Sequence, residues 1–274
     1  MDVDAHTKTV TVNDLSFPVL DYGAGPAVLL LHGFPDSRHL WRHQIPALAQ
    51  AGLRVIAPDL RGFGDAPKPS AVEEYTIPKV VGDVLGIMDA LGIERFRLVG
   101  HDWGAWVAWV ITGHHAHRVE RLAALSVGLG IGTGIEQRER SWYMLFFQFE
   151  GIAEAWLQRD DWKLMREWLR GDGDQERYMR DLARPGALTA GLNWYRANRK
   201  PLMPPAAPPP FPQITCPVLA LWSDGDHYLT EAHVANSYQR VTGRWRYEKI
   251  SGASHWLMLD KPDEVNRLLV EFLV

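Results

Sequence analysis

The chain has 274 residues, 46% of them hydrophobic, which is enough to bury the core of one large domain or of a domain with an insertion. A formal net charge of −4 is too mild to indicate a nucleic acid or an anionic membrane surface as the partner. The single cysteine, Cys216, excludes an internal disulfide framework and favours a reducing compartment.

The start of the chain is acidic. No apolar run follows residues 1–4, so no secretory signal is expected. No uninterrupted apolar stretch reaches the ~18 residues that a membrane span needs. We therefore expect a cytoplasmic protein with neither a membrane nor a nucleic acid as its partner.

Short apolar strands alternate with helical segments through the first half of the chain. Residues 7–12 and 16–21 alternate apolar and polar side chains, as in a hairpin at a sheet edge. Continuous apolar runs are typical of buried parallel strands. We predict buried strands at 27–31, 54–57, 96–99 and 122–127, and helices at 40–51, 75–91 and 105–111. This order favours an α/β fold with a mostly parallel sheet covered by helices on both faces.

The alternation stops at residue 128, where a glycine-rich stretch begins. Residues 136–200 are helical in pattern, and five tryptophans there indicate an aromatic-lined cavity: Trp142, Trp156, Trp162, Trp168 and Trp194. Seven prolines at 201–212 predict a stiff, extended linker. Strands resume at 217–222 and 245–250, and a final helix is predicted at 264–273.

This pattern predicts a core domain with an insertion. The core consists of residues 1–127 and 213–274. The inserted segment, 128–212, is a helical cap that includes the proline-rich return linker.

The strand at 96–99 runs directly into Gly100-His101-Asp102-Trp103-Gly104, and a helix follows at once. This arrangement resembles the nucleophile elbow of α/β-hydrolases, where small residues allow a strained bend and the central side chain stands clear of the sheet. The usual nucleophile is serine, whereas here it is the carboxylate of Asp102. The resemblance implies the α/β-hydrolase fold.

In that fold, the nucleophile is followed along the chain by an acid and then by a histidine. Asp224 and Asp226 both follow the strand at 217–222. The spacing favours Asp226, and Asp224 is the alternative. His255 follows the strand at 245–250, in a loop of small residues, so we predict the triad Asp102, Asp226 and His255.

The other histidines fit other roles. His32 and His101 flank loops near the predicted site, and we expect them to orient the backbone rather than transfer protons. His114, His115 and His117 cluster at the polar end of a helix, which is typical of solvated surface. The chain has neither a His-Glu-X-X-His motif nor the Cys/His spacing of a zinc site, so we expect no metal and no cofactor.

A carboxylate nucleophile attacks a saturated carbon and forms an alkyl ester with the enzyme. His255, oriented by Asp226, would then take a proton from water, and the hydroxide would attack the carbonyl carbon of the Asp102 ester. The resulting oxyanion needs backbone N–H donors, for which Phe34 and Trp103 are the candidates.

Several segments are similar to motifs of the epoxide hydrolases of the α/β-hydrolase fold. They are His-Gly-Phe-Pro at 32–35, the turn at 100–105, the loop at 252–260, the cap segment 144–154 and Asn-Trp-Tyr-Arg at 193–196. The resemblance implies that an epoxide is hydrolysed to a vicinal diol and that Tyr195 and Tyr143 donate hydrogen bonds to the epoxide oxygen. A phenol with a pKa of ~10 can donate to the alkoxide without being ionised at pH 7.

We expect a small, apolar epoxide as the substrate. We expect the substrate pocket to include His32, Pro35, Trp103, Trp106, Trp194 and Trp256. The chain is expected to be a monomer or a homodimer.

Two alternatives use the same fold. A dehalogenase would share Asp102 and His255, but the haloalkane enzymes commonly carry asparagine where Phe34 lies, and fluoroacetate dehalogenases carry arginines where this chain has Trp103 and Trp106. A non-catalytic binder of a small hydrophobic ligand is the second alternative. Such proteins usually lose members of the triad, and this chain keeps all three.

Overall fold

The computed structural model describes residues 2–129, 134–198 and 211–274. Part of the predicted glycine-rich break (130–133) and most of the predicted proline-rich linker (199–210) lie outside the described residues.

Eight strands form one sheet in the order β1-β2-β4-β3-β5-β6-β7-β8. The strands are β1 (Thr7–Val12), β2 (Leu15–Tyr22), β3 (Ala27–Leu31), β4 (Arg54–Pro58), β5 (Phe96–His101), β6 (Val119–Leu125), β7 (Val218–Ser223) and β8 (Trp245–Ile250). β2 pairs antiparallel with β1 and with β4, and the other neighbouring pairs are parallel. The predicted edge hairpin and mostly parallel sheet are therefore confirmed.

Helices cover both faces of this sheet. Those outside the segment between β6 and β7 are α1 (Gln44–Gln50), α2 (Ile77–Ala90), α3 (Trp103–His114), α9 (Glu231–Ala235), α10 (Leu257–Asp260) and α11 (Pro262–Leu273). α1 links β3 to β4 towards one edge, whereas α3 links β5 to β6 towards the other. Because crossovers between parallel strands are right-handed, these opposite directions place α1 and α3 on opposite faces. α11 packs beside α1, and α2 packs beside α3.

The segment between β6 and β7 is helical wherever it is regular in the described residues. It contains α4 (Ile135–Arg140), α5 (Trp142–Phe146), α6 (Ile152–Leu169), α7 (Gln175–Leu182) and α8 (Ala187–Asn198), which we call the cap helices. α6 is interrupted at residues 159–162, where the backbone leaves the helical conformation. Within the described ranges, no helix combines the length and the apolar character needed to cross a bilayer.

The predicted helix at 40–51 begins later than expected. Its first residues form a 3-10 turn at Arg38–Trp41, and α1 starts at Gln44. Pro46 explains the difference, because proline has no N–H and is tolerated only in the first turn of a helix. A helix that started at residue 40 would place this proline in its interior.

The glycines on either side of Asp102 are required by close packing. A Cβ atom on Gly104 would overlap the carbonyl oxygens of Leu31 and His32, at the end of β3. A Cβ atom on Gly100 would overlap the Gly104 carbonyl. Helix α3 can therefore approach the sheet this closely only without side chains at both positions.

Gly104→Ala is expected to lower the free energy of unfolding by about 1–3 kcal/mol, because the added methyl group meets backbone atoms that cannot rotate away. Gly82→Ala is the matched control, since a Cβ atom there, in α2, meets nothing within 4 Å. That change should raise stability by roughly 0.5–1 kcal/mol. Urea unfolding measures both, and equal stabilities of the two variants would contradict the packing argument.

Candidate active site

Asp102 lies at the sharp turn between β5 and α3. Its backbone has φ 52° and ψ −123°, a conformation that is strained for a residue with a side chain. The Phe34 N–H donates to Asp102 Oδ1 at 2.8 Å, and the Trp103 N–H donates to the same carboxylate. A Cβ atom on Gly33 would overlap Asp102 Oδ1, so glycine allows the loop after β3 to reach the carboxylate.

His32 holds that loop in place. The Leu60 N–H donates to His32 Nε2 at 3.0 Å, so the ring proton lies on Nδ1, which donates to the Gly33 carbonyl at 3.0 Å. Burial lowers the pKa of His32, which keeps this neutral tautomer. His32 thus orients the backbone next to Phe34, as we predicted from its position.

His255 lies between two carboxylates. Its Nδ1 donates to Asp226 Oδ2 at 2.7 Å, and its Nε2 lies 3.6 Å from Asp102 Oδ2. The other oxygen of Asp226 accepts the N–H groups of Tyr228 and Leu229 at 2.8 and 2.9 Å. Asp226 is therefore buried, and both of its carboxylate oxygens accept hydrogen bonds. Oδ2 is the oxygen that faces the imidazole.

Asp224, the alternative acid, lies on the surface. Its carboxylate accepts hydrogen bonds from the Ser251 hydroxyl and the Gly252 N–H, both at 2.8 Å, and these contacts lower its pKa. It connects two loops of the sheet edge and does not contact His255. Of the two aspartates, the structure brings Asp226 to the histidine.

Asp102 and His255 stabilise each other's charged forms. Burial alone would lower the pKa of His255, but the charge of Asp226 and the neighbouring Asp102 outweigh burial and raise it. Burial alone would raise the pKa of Asp102, yet the His255 side chain lowers it. An ionised Asp102 is therefore stable in this buried position.

Two side chains fix the backbone of His255. The Ser126 hydroxyl and His101 Nε2 both donate to the His255 carbonyl, at 2.9 and 3.0 Å. Burial lowers the pKa of His101 to about 3, so this ring stays neutral. His101 therefore holds the backbone of the loop that carries His255.

A narrow cavity of about 10 Å³ lies between the strand ends and the cap helices. Tyr143 of α5 and Tyr195 of α8 both line it, and their ring centroids are 5.9 Å apart. Burial raises the pKa of Tyr195 well above its ordinary value, so its hydroxyl keeps its proton. The remaining lining residues are Phe34, Asp102, Trp168, Tyr228, His255 and Trp256.

Trp256 is the one residue of the predicted pocket set that lines this cavity. The Trp103 ring packs edge-on against Tyr195 at 5.1 Å, and Trp194 Nε1 donates to the Arg61 carbonyl at 2.9 Å. Trp106 packs against Phe211, whereas His32 and Pro35 lie buried in the loop behind Phe34. Of the five tryptophans in the cap, Trp168 lines the cavity, and Trp142 and Trp156 are exposed.

Known proteins resemble this chain in sequence and in fold. A family model described as the alpha/beta hydrolase fold matches residues 26–262. Epoxide hydrolase A of Mycobacterium tuberculosis is 36% identical, over 97% of this chain and 96% of its own length. The chain belongs to the epoxide hydrolase family of α/β-hydrolases.

Solved structures of the epoxide hydrolase family superpose closely on this chain. One, described as a novel epoxide hydrolase from metagenomes of hot environments, has a TM-score of 0.87, is 30% identical and covers 98% of both chains. The epoxide hydrolase of Bacillus megaterium in complex with an inhibitor also has a TM-score of 0.87, with 27% identity over 97% of this chain and 99% of that one. The family resemblance stated from the sequence motifs is confirmed.

In this family member, a buried arginine ties the cap helices together. Arg196 forms an ion pair with Glu154 at 2.8 Å, donates through Nε to the Phe147 carbonyl at 2.9 Å, and bonds to Asn193 Oδ1 at 3.0 Å. Phe147 follows α5, and Arg196 is next to Tyr195. The Asn-Trp-Tyr-Arg motif therefore sets the position of α8, which carries Tyr195, relative to α5.

Helix α4 holds the loop that carries Asp226. Gln137 donates to the Tyr228 carbonyl at 2.8 Å and accepts from the Thr230 N–H at 3.0 Å. Arg140 donates to the Asp226 carbonyl at 2.6 Å. The cap helices and the acid of the site thus form one hydrogen-bonded unit.

Two residues of the site were not predicted. Tyr228 packs its ring 5.2 Å from the His255 ring and donates its hydroxyl to the Trp168 carbonyl at 3.0 Å. Asp36 is buried, accepts from Trp256 Nε1 at 2.7 Å, and has a pKa that burial raises to about 7. Tyr228 follows the predicted acid, Asp226, by two positions, and Asp36 directly follows the His-Gly-Phe-Pro motif. Their closeness in sequence to predicted site residues is the signal that could have identified them.

The described residues contain no cluster of histidine, cysteine or acidic side chains arranged to hold a metal ion. His114 and His117 are exposed, as expected for solvated surface.

Asp102→Asn is expected to lower the pKa of His255 by about 1 unit or more, because it removes one of the two negative charges that raise it. Titration of the ring proton signals by NMR measures this pKa. In the wild type, the interaction of protonated His255 with its two carboxylates stabilises the folded state fully below pH ~6.5, the ordinary pKa of histidine. This stabilisation is lost as the pH rises through the raised pKa of His255 in the folded state. Asp224→Asn is the control and should leave the titration unchanged. An identical His255 pKa in wild type and Asp102→Asn would contradict the coupling.

Proposed function

We propose that this protein hydrolyses a small, apolar epoxide to a vicinal diol through a covalent ester on Asp102. The observation that carries the proposal is that the Asp102 carboxylate, the His255 imidazole bonded to Asp226, and two cap phenols lie together, with Asp102, His255 and both phenols lining one cavity. The names of the related epoxide hydrolases agree with it.

Ring opening is the first step. Asp102 Oδ2, the oxygen on the His255 side, attacks one epoxide carbon, and the bond from that carbon to the ring oxygen breaks. The electron pair goes to the ring oxygen, which receives hydrogen bonds and a proton from Tyr195 and Tyr143. Asp102 Oδ1 keeps its hydrogen bond to Phe34, so only one oxygen is committed to the new ester.

Hydrolysis of the ester is the second step. Esterification removes the negative charge of Asp102, which lowers the pKa of His255 towards the range in which it can accept a proton. His255 takes a proton from water, and the hydroxide attacks Cγ of Asp102. The Phe34 and Trp103 N–H groups stabilise the oxyanion on Oδ1, and each such donor is typically worth about 3 kcal/mol. On collapse, the bond from Cγ to Oδ2 breaks, and the leaving diol oxygen takes the proton held by His255. The proton of the new carboxyl group returns to the tyrosinate, which restores Asp102, His255 and the phenol.

The cavity supports an apolar substrate. Its volume of about 10 Å³ is far below the ~300–1,000 Å³ of typical ligand pockets, so even a small epoxide must displace some of the side chains that line it. Among the described residues, the wall between Asp102 and the phenols is aromatic and includes no lysine or arginine that could bind a substrate carboxylate. We propose that residues 128–212 act as a lid over the core formed by 1–127 and 213–274.

Asp102→Ala is expected to abolish diol formation, and His255→Gln to slow ester hydrolysis by about 10²–10⁴-fold. In His255→Gln, intact-protein mass spectrometry should therefore detect an adduct with the mass of the substrate. Asp224→Asn should turn over normally without an adduct. Unchanged diol formation by Asp102→Ala would reject Asp102 as the nucleophile.

The double variant Tyr143→Phe with Tyr195→Phe should lose about 10²–10⁴-fold in epoxide opening, because the departing oxygen then has no acid. Tyr75→Phe is the control, since Tyr75 is buried and bonds to the Pro69 carbonyl away from the cavity. Initial rates on an aryl epoxide measure the effect. A dehalogenase would instead release halide from a haloalkane at a rate that the double variant leaves unchanged.

A further inference from the structure

An arginine-lined cavity lies at the end of the sheet opposite to the active site. It has a volume of about 250 Å³ and is lined by Arg121, Pro217, Arg244, Arg246, Glu271 and Phe272. These residues come from the beginnings of the neighbouring parallel strands β6, β7 and β8 and from the end of α11. Asp226 and His255 follow the other ends of β7 and β8, roughly 20 Å away, since a strand rises ~3.3 Å per residue. The cavity is therefore separate from the proposed catalytic site.

The three arginine side chains converge on the last turn of α11. Arg121 of β6 donates to the Phe272 carbonyl. Arg246 of β8 forms an ion pair with Glu271 at 2.8 Å. The hydrogen bond from Arg246 lowers the pKa of Glu271, and the charge of Arg244 adds to this effect, so Arg244 also lies near that carboxylate.

Positive charge exceeds negative charge around the cavity. Its lining includes three arginines and one acid. Glu271 and Glu248 both pair with Arg246, each at 2.8 Å. Within the described residues, neither Arg121 nor Arg244 forms an ion pair with a carboxylate. Both of these guanidinium groups are therefore available to an anionic ligand.

Backbone packing fixes the position of Arg244. A Cβ atom on Gly243 would overlap the carbonyl oxygens of Thr215 and Cys216, so the turn before β8 packs directly onto the segment before β7. The Val218 N–H donates to the Arg244 carbonyl at 2.8 Å. Because this backbone is already ordered, less conformational entropy is lost when the side chain binds a ligand.

The lining favours a ligand with an anionic end and an apolar end. A guanidinium group binds phosphate oxygens through two parallel N–H donors. A phosphate monoester carries about 1.5 to 2 negative charges at pH 7, which suits two guanidinium groups without carboxylate partners. Pro217 and Phe272 add apolar wall against which a hydrocarbon group can pack.

We propose that this cavity binds a small phosphate monoester that carries an aryl or short alkyl group. The phosphate lies between Arg121 and Arg244, and the hydrocarbon group packs against Phe272. The volume of about 250 Å³ is just below the ~300–1,000 Å³ of typical ligand pockets, so a small ester fits without rearrangement.

Calorimetric titration with phenyl phosphate, in a phosphate-free buffer with ~0.15 M KCl to screen exposed charges, tests the site. The wild type should bind one equivalent. Arg244→Gln should weaken binding about 10-fold or more, because it removes a charge-assisted contact with the phosphate. Arg138→Gln removes an exposed arginine of α4, remote from the cavity, and is the matched control that should bind like the wild type. A wild type that does not bind, or an Arg244→Gln variant with unchanged affinity, would overturn the proposal.

Further titrations separate the two ends of the ligand. Inorganic phosphate should bind the wild type several-fold more weakly than phenyl phosphate, because it has no group to pack against Phe272. Equal affinities would overturn the assignment of an ester. Flotation of the wild type with phosphatidic acid vesicles, without any binding of phenyl phosphate, would overturn the free ester in favour of a lipid headgroup. Arg244→Gln should form diol at the wild-type rate, and a loss of that activity would contradict the separation of the two sites.

Discussion

The backbone at Asp102 is held in a left-handed conformation that costs about 1–3 kcal/mol, and the rest of the site depends on it. The strain persists because α3 packs onto β3 at Gly104, where no side chain fits. The turn lifts the carboxylate clear of the sheet. There, Oδ1 reaches the Phe34 N–H and Oδ2 faces His255. A relaxed turn would separate the Asp102 carboxylate from both partners.

The cap helices take part in the geometry of the core residues as well as covering them. Gln137 and Arg140 bond to the backbone of the loop that carries Asp226, and Tyr228 of that loop bonds back to Trp168. A displacement of the cap would therefore disturb the acid that orients His255. These hydrogen bonds therefore link the cap, which carries the phenols of the proposed reaction, to the core, which carries its carboxylates.

Local sequence patterns predicted the bounds of the strands better than the identity of the site residues. The strands at 27–31 and 245–250 begin and end where the sequence indicated, because a continuous or alternating apolar run bounded by turn residues leaves few alternatives. Spacing could not choose firmly between Asp224 and Asp226, since the choice depends on how Ser126 and His101 fix the His255 backbone across the sheet. Aromatic content indicated a cavity, but which tryptophan faces it depends on the tertiary packing of the cap. Trp168 faces the cavity, whereas the other tryptophans of α6 do not.

The proposed reaction requires a covalent bond between Asp102 and the substrate. A single turnover in ¹⁸O-water, with enzyme in excess over the epoxide, tests for this bond. The diol should carry no heavy oxygen, because its new oxygen comes from Asp102, and the peptide containing Asp102 should gain one ¹⁸O atom. Heavy oxygen in the diol of the first turnover, with an unlabelled Asp102 peptide, would contradict it.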